Sequence, residues 1–210
     1  MNYLKKYWMA LAILPFVFGT LAASIDVHAE GKDDSPAASG LFPPLQYPKK
    51  EDTVIGLRVS PGWARHAKMY GADFGLIGNI TDNDFVGTAF AGGFNITSGN
   101  ALILFTQMAG VTNTNLGKTN IVGIQLAFGY NYSASTTNVF GGQFSLIGNF
   151  GAKTNVYGIQ FGLYNEAESV YGFQLGLVNR TKNLAGIQVG LLNYVEKGWL
   201  SFFPVINVGF

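Results

Sequence analysis

The chain has 210 residues, enough for one domain of ordinary size, yet its composition differs from that of a soluble globular protein. It contains 28 glycines and 17 phenylalanines but only 12% charged residues, about half the usual charged share. A net charge of +1 excludes the basic footprint of a nucleic-acid-binding protein. The absence of cysteine excludes a disulfide framework and a thiolate metal site.

The first 29 residues have the pattern of a secretory signal peptide. A short positive region precedes an apolar run over residues 8–23, and residues 27–29 match a small-residue cleavage site. Pro15 interrupts the run, which is shorter than the roughly 20 residues of a membrane-spanning helix. We therefore expect export and cleavage after Ala29, with cleavage after Ala23 as the alternative.

Residues 30–52 differ in character from the rest of the chain. They contain four of the seven prolines together with clustered charges, and they show no apolar periodicity. Such a composition is typical of a linker or tail. We predict a flexible segment on the periplasmic side of the outer membrane.

From residue 53 to the end, the chain repeats one short unit. The clearest copies are GIQFGLYN, GFQLGLVN and GIQVGLLN, which begin at Gly158, Gly172 and Gly186, with a period of 14 residues. Looser copies, spaced by up to 18 residues, extend back to Gly71. Each copy closes on an asparagine, a residue common in turns, so we expect these asparagines to terminate strands.

Side chains alternate within a unit, which is the period of a β-strand. Ile159 and Phe161 fall on one face and Gln160 on the other, and the charged residues lie between units. A tilted strand of about 10 residues spans roughly 25 Å, the apolar height of an outer-membrane barrel. The predicted fold for 53–210 is an all-β, transmembrane antiparallel β-barrel of about ten strands, built from a strand-turn repeat.

Two other all-β architectures are compatible with the alternation. A soluble sandwich would carry more charge on its outer face. A solenoid would turn the bulky Ile, Phe and Leu side chains inward, and a coil of 14 residues leaves little room for them. The barrel instead directs these side chains to lipid and the Gly/Gln face to a narrow lumen.

The barrel interpretation identifies a set of lumen-facing polar side chains. The glutamines either line a small polar conduit or bond to each other and plug it. Asp73 is expected to pair with Arg58 or Arg65. The lumen-facing candidates are Asp73, Gln107, Gln125, Gln143, Gln160, Gln174 and Gln188.

The last residues alternate in the manner of a terminal barrel strand. They resemble the signal that the outer-membrane assembly machinery recognises. Pro204 cannot donate to a strand ladder, so we expect it at a bulge or at the seam between the last and first strands. The residues of the predicted assembly signal are Phe202, Ile206, Val208 and Phe210.

The repeats GIQFGLYN, GFQLGLVN and GIQVGLLN and the closing WLSFFPVINVGF resemble the surface repeat-containing proteins first catalogued in leptospires and found in other diderm bacteria. The resemblance covers residues 120–210 well and 71–119 weakly. It implies an exported outer-membrane or surface protein and supplies no catalytic residues.

The function expected from the sequence is therefore a non-enzymatic outer-membrane barrel, with a narrow pore as one form. Its expected partners are outer-membrane lipid and the assembly machinery; no metal-ligand spacing, cofactor motif or nucleic-acid site is apparent. One alternative is a surface adhesin or binding module. Another is a lipid-modifying hydrolase centred on His66, with Ser60 and Asp73 nearby, although a solvated loop histidine is the simpler interpretation of His66.

Overall fold

The computed structural model describes residues 34–210, so the predicted signal peptide lies outside the described residues. These residues form a parallel β-solenoid of about ten turns. The strands are β1 (Asp34–Phe42), β2 (Leu45–Tyr47), β3 (Thr53–Ser60), β4 (Trp63–His66), β5 (Lys68–Gly75), β6 (Gly78–Thr81), β7 (Phe85–Ala91), β8 (Phe94–Thr97), β9 (Ala101–Ala109), β10 (Thr112–Asn115), β11 (Thr119–Ala127), β12 (Tyr130–Ser133), β13 (Thr137–Ser145), β14 (Gly148–Phe150), β15 (Thr154–Phe161), β16 (Tyr164–Leu175), β17 (Val178–Val195) and β18 (Phe202–Gly209).

Each coil of the solenoid consists of a long strand, a tight corner, a short strand and a second corner. The long strand β11 pairs in parallel with β9 and β13, and the short strand β12 pairs in parallel with β10 and β14. β16 and β17 each join the short strand of one coil to the long strand of the next. The chain therefore builds two parallel sheets, and each coil adds one strand spacing of roughly 4.8 Å.

The two ends of the solenoid depart from this pattern. β18 pairs antiparallel with β17, and β1 pairs in parallel with β3 while its end folds back antiparallel on β2. Residues 34–47 of the predicted flexible segment thus form strands. Their inward side chains are small, as at Ser35 and Ala38, which is why no apolar periodicity marks them in the sequence.

The predicted antiparallel barrel is wrong, because the long strands pair in parallel. A repeat of 14–18 residues is one complete coil and not one strand with its turn. The chain turns a corner inside each unit, as at residues 128–129 between β11 and β12. The two short segments that result are stacked on their equivalents in the next coil.

The inside and outside of the coil are also the reverse of what the solenoid alternative assumed. The interior holds medium-sized apolar side chains such as Ile121, Val139 and Val156, together with alanines, threonines and amides. Most Ile, Leu and Phe side chains lie outside, and the largest apolar side chains in the interior are Phe85 and Met69. The space between the two sheets of a coil therefore holds few of the bulky apolar side chains.

A column of glycines lets successive coils approach closely. Gly158 has φ +143°, and a Cβ there would lie 2.0 Å from the carbonyl oxygen of Gly141. Only glycine tolerates both the backbone conformation and the contact. The glycines with this conformation are Gly56, Gly71, Gly87, Gly123, Gly141, Gly158, Gly172 and Gly186.

Candidate functional site

The predicted lumen-facing glutamines lie in the packed interior. In the parallel register each Gln is stacked on the Gln of the next coil, and its Nε2 donates to the Oε1 of the preceding one at 2.7–2.8 Å. All six are buried. The glutamine side chains fill the interior by hydrogen bonding to one another, so they do not line a conduit.

The asparagines that close the repeats form a second buried ladder. From Asn79 to Asn193, each Nδ2 donates to the Oδ1 of the next Asn at 2.8–2.9 Å. The same amide also bonds to a long strand, as from Asn113 to the carbonyl of Leu126 at 2.8 Å. The expectation that these residues terminate strands is wrong for this ladder, which lies within or at the start of the short strands and links the two sheets.

A buried polar cluster replaces the glutamine row in the first coils. The Nε of Arg58 donates to Oδ1 of Asp73 at 2.8 Å, and its Nη1 donates to Nδ1 of His66 at 3.0 Å and to the carbonyl of Ile80 at 3.0 Å. Of the two partners predicted for Asp73, Arg58 is the one observed, and Arg65 pairs with Asp82 instead. Burial raises the pKa of Asp73, and Arg58 opposes that change.

His66 is fully buried, so the expectation of a solvated loop histidine is wrong. Its Nδ1 accepts from Arg58, and its Nε2 lies 3.2 Å from the carbonyl of Pro48, to which it donates. Burial and the charge of Arg58 lower the pKa of His66 to about 4. Both ring nitrogens have structural partners, and Ser60 is buried as well, so the arrangement offers no accessible base and nucleophile.

No group of three or more potential metal ligands occurs within residues 34–210. No helix in that part of the chain is long and apolar enough to cross a membrane. The bulky apolar side chains lie on the outer surface, which is the candidate functional site.

The outward side chains of the long strands form what we term the apolar face. Apart from Lys68, the first residue of β5, it carries no charged residue in any coil from β3 to β17. Aromatic rings stack along it, with centroids 4.9 Å apart for Phe140 and Tyr157 and 4.8 Å for Tyr157 and Tyr171. Its exposed large members are Ile55, Leu57, Val59, Phe74, Met108, Ile124, Phe140, Tyr157, Ile159, Phe161, Tyr171, Phe173 and Val189.

The corner that follows each long strand extends this surface, and we term it the apolar corner. Its backbone N–H groups bond from coil to coil, as from Gly93 to the carbonyl of Ile77 at 2.8 Å. It too lacks charged residues from β3 to β17. Its exposed large side chains are Leu76, Ile77, Val111, Phe128, Leu146, Ile147, Leu163, Leu177 and Leu191.

The opposite corner, which follows each short strand, together with the adjoining strand ends, forms the charged edge. Ion pairs connect its coils, as between Arg65 and Asp82 at 2.9 Å and between Lys182 and Glu168 at 3.6 Å. Apart from the buried Arg58–Asp73 pair, the charged residues of the described chain lie here. They are Asp34, Lys49, Lys50, Glu51, Asp52, Arg65, Lys68, Asp82, Asp84, Lys118, Lys153, Glu166, Glu168, Arg180, Lys182, Glu196 and Lys197.

Phe105 is an unusual member of the outer surface. It lies in register with Gly123 but has φ +69°, and its side chain is 75% exposed. A non-glycine residue in the left-handed region stores strain, and a large apolar side chain in water adds no stability. An exposed ring held in this way is a candidate contact point.

The residues of the predicted assembly signal lie on or next to β18. Phe202, Ile206, Val208 and Phe210 are all exposed. Pro204 lies where the register between β17 and β18 shifts, as expected of a residue at a bulge. Recognition of this strand by the assembly machinery stays a prediction.

The fold and its exterior define a class of protein: a β-solenoid with an amide-filled interior and an outer surface divided into apolar and charged parts. Comparisons of the chain with protein-family models, with curated proteins and with solved structures find no match to any of them. The function is therefore inferred from the surface itself.

Proposed function

We propose that this protein is a non-enzymatic surface binding module whose ligand is a lipid bilayer, contacted by the apolar face and the apolar corner. The observation that carries the proposal is that the long strands and the corners that follow them expose many large apolar side chains, whereas the exposed charges lie on the charged edge. Export to the outer membrane is part of the proposal, supported by the N-terminal signal pattern and by the family resemblance.

The size of the apolar surface supports a membrane ligand. Nine long strands spaced at roughly 4.8 Å, with about seven residues each, give an area on the order of 1,000 Å². The largest apolar patch on a typical soluble monomer is about 300–600 Å². A bilayer can cover such a surface along its whole length while the charged edge stays in water.

The backbone is also suited to contact with hydrocarbon. A polar group placed in lipid without a partner costs several kcal/mol, so only fully bonded backbone is tolerated there. The long strands bond to their neighbours on both sides, and the corners bond to each other, as from Val111 to the carbonyl of Gly93 at 2.7 Å. The apolar surface therefore presents few unsatisfied backbone groups to lipid.

The test is flotation of the protein with vesicles of neutral phosphatidylcholine. We expect co-flotation, with little dependence on salt or on the fraction of anionic lipid, because the charged edge faces away and the two signs nearly balance. Phe105→Gly should weaken vesicle binding by about 10-fold or more, because burying a Phe contributes about 2 kcal/mol. The same change relieves the left-handed strain, so the variant should be more stable than the parent.

Leu116→Ala provides the matched control. Leu116 is 42% exposed but belongs to the charged edge, so its removal should leave flotation unchanged. Equal losses for Phe105→Gly and Leu116→Ala would contradict the proposed orientation. A stable dimer that does not float would assign the apolar surface to a second copy of the chain and overturn the proposal.

A further inference from the structure

One part of the apolar surface is concave. A groove of about 360 Å³ runs across four successive coils and is lined by Val59, Ser60, Pro61, Phe74, Gly75, Leu76, Phe90, Ala91, Gly92 and Met108. Its volume lies within the range of small-molecule sites. Three strand spacings of roughly 4.8 Å give it a length of about 14 Å along the solenoid axis.

The groove exists because the apolar corner lacks a side chain at Gly92. Leu76 fills the equivalent place in the preceding coil and forms one wall. A Cβ at position 92 would lie 2.0 Å from the carbonyl oxygen of Leu76, so the gap cannot be filled by a larger residue. The stacked rings of Phe74 and Phe90, with centroids 5.3 Å apart, form part of the lining beside it.

The lining offers almost nothing to a polar ligand. Two of its carbonyl groups are already used, since that of Ser60 accepts from the N–H of Leu76 at 2.8 Å and that of Gly75 accepts from the N–H of Gly92 at 3.0 Å. Ser60 is the one polar side chain of the lining, and it is buried. A peptide in the groove would leave its own N–H and C=O groups unpaired, at a cost that an alkyl chain avoids.

We infer that the groove binds a single alkyl chain of a membrane lipid, laid along the solenoid axis. The inference deepens the proposed function, on which it rests, because the bilayer beside the apolar surface supplies the chain. The groove is shallow, uncharged and elongated, and it opens on the surface that carries the proposed lipid contact.

The test uses cis-parinaric acid, a fluorescent polyene fatty acid, below its micelle concentration and without vesicles. We expect saturable binding of one probe per chain. Phe90→Lys should weaken probe binding at least 10-fold, since it places a charge in the groove. Phe161→Lys is the matched control, because Phe161 lies in the same outward column four coils away and should change probe binding less than twofold.

Met108→Lys is a second groove variant that leaves the Phe74–Phe90 stack intact, and it should weaken probe binding as Phe90→Lys does. Folding of each variant is checked by circular dichroism. Equal weakening by Phe90→Lys and Phe161→Lys would show that the probe binds the apolar surface in general and would overturn the groove. Non-saturable binding would overturn it as well.

Competition experiments identify the source of the bound alkyl chain. Displacement of the probe by both lysophosphatidylcholine and palmitate supports a lipid alkyl chain, whereas displacement by palmitate alone would overturn the assignment to a membrane lipid. Vesicle flotation should weaken for both Phe90→Lys and Phe161→Lys. Saturable probe binding without flotation of the parent protein would support alkyl-chain binding in the groove but contradict bilayer binding by the apolar surface. Failure of the groove proposal and failure of the proposed function are therefore distinguishable.

Discussion

The buried histidine makes the stability of the solenoid sensitive to acid. His66 has a pKa of about 4 in the folded protein, compared with an ordinary value of 6.5, because burial and Arg58 disfavour its charged form. Below pH 6.5 the His66 imidazole is protonated in the unfolded chain, whereas in the folded chain it stays neutral down to about pH 4. The free energy of unfolding therefore falls as the pH drops through this window and is fully retained above it.

The size of the loss follows from the difference between the two pKa values. At roughly 1.4 kcal/mol per pKa unit, it amounts to about 3 kcal/mol. This is a large fraction of the 5–15 kcal/mol that typically stabilises a folded domain. His66→Gln keeps a side-chain amide to donate to the carbonyl of Pro48 but has no group that titrates in this range. Its free energy of unfolding should therefore fall by about 3 kcal/mol less than that of the parent protein over the same pH window.

The measurement is urea unfolding of the parent and of His66→Gln at several pH values between 7.5 and 4, followed by far-ultraviolet circular dichroism. Carboxylates also titrate in this range, but they contribute to both proteins and cancel in the difference. The imidazole proton resonances, assigned with the variant, should not titrate above about pH 5. A histidine that titrates near 6.5, or equal pH profiles for the two proteins, would refute the reasoning.

Three other substitutions test the interior. Gly158→Ala should destabilise the protein by about 3 kcal/mol or more in thermal or urea unfolding, since it combines a disfavoured φ with a contact to the Gly141 carbonyl. Gln143→Leu should cost about 2–4 kcal/mol in the same assay, because it leaves one donor and one acceptor of the ladder unpaired. Arg58→Met should cost about 3–5 kcal/mol by leaving Asp73 buried and unpaired, and Arg58→Met/Asp73→Leu should recover most of that loss.

Controls exist for these variants. Gly142→Ala adds a methyl group on the outward side of the same sheet, where its nearest neighbour is the movable ring of Phe144, so its cost should stay below about 1 kcal/mol. A tolerated Gly158→Ala would contradict the close approach of the glycine column. A double variant no more stable than Arg58→Met would contradict the pairwise account of the buried cluster.

Much of the local structure follows from the sequence. The alternation around Gln160 predicts strands, the 14-residue spacing predicts repetition, and the grouping of charges predicts which turns meet water. An ion pair between Asp73 and an arginine was also predictable, because Asp73 lies on the Gly/Gln face, but the choice of Arg58 over Arg65 was not. These inferences depend on residue type and spacing alone, which a single sequence contains.

The direction in which each face points was decided by the tertiary structure. Alternation between Gln160 and Phe161 is the same in a barrel and in a solenoid, and nothing local marks the corner that divides each unit into two strands. Gln and Asn turn inward because parallel, in-register coils place identical amides one strand spacing apart, where each donates to the next. In an antiparallel barrel neighbouring strands run in opposite directions, so this stacking is lost. The sequence signal that indicates stacked amides is the recurrence of the same amide from one unit to the next.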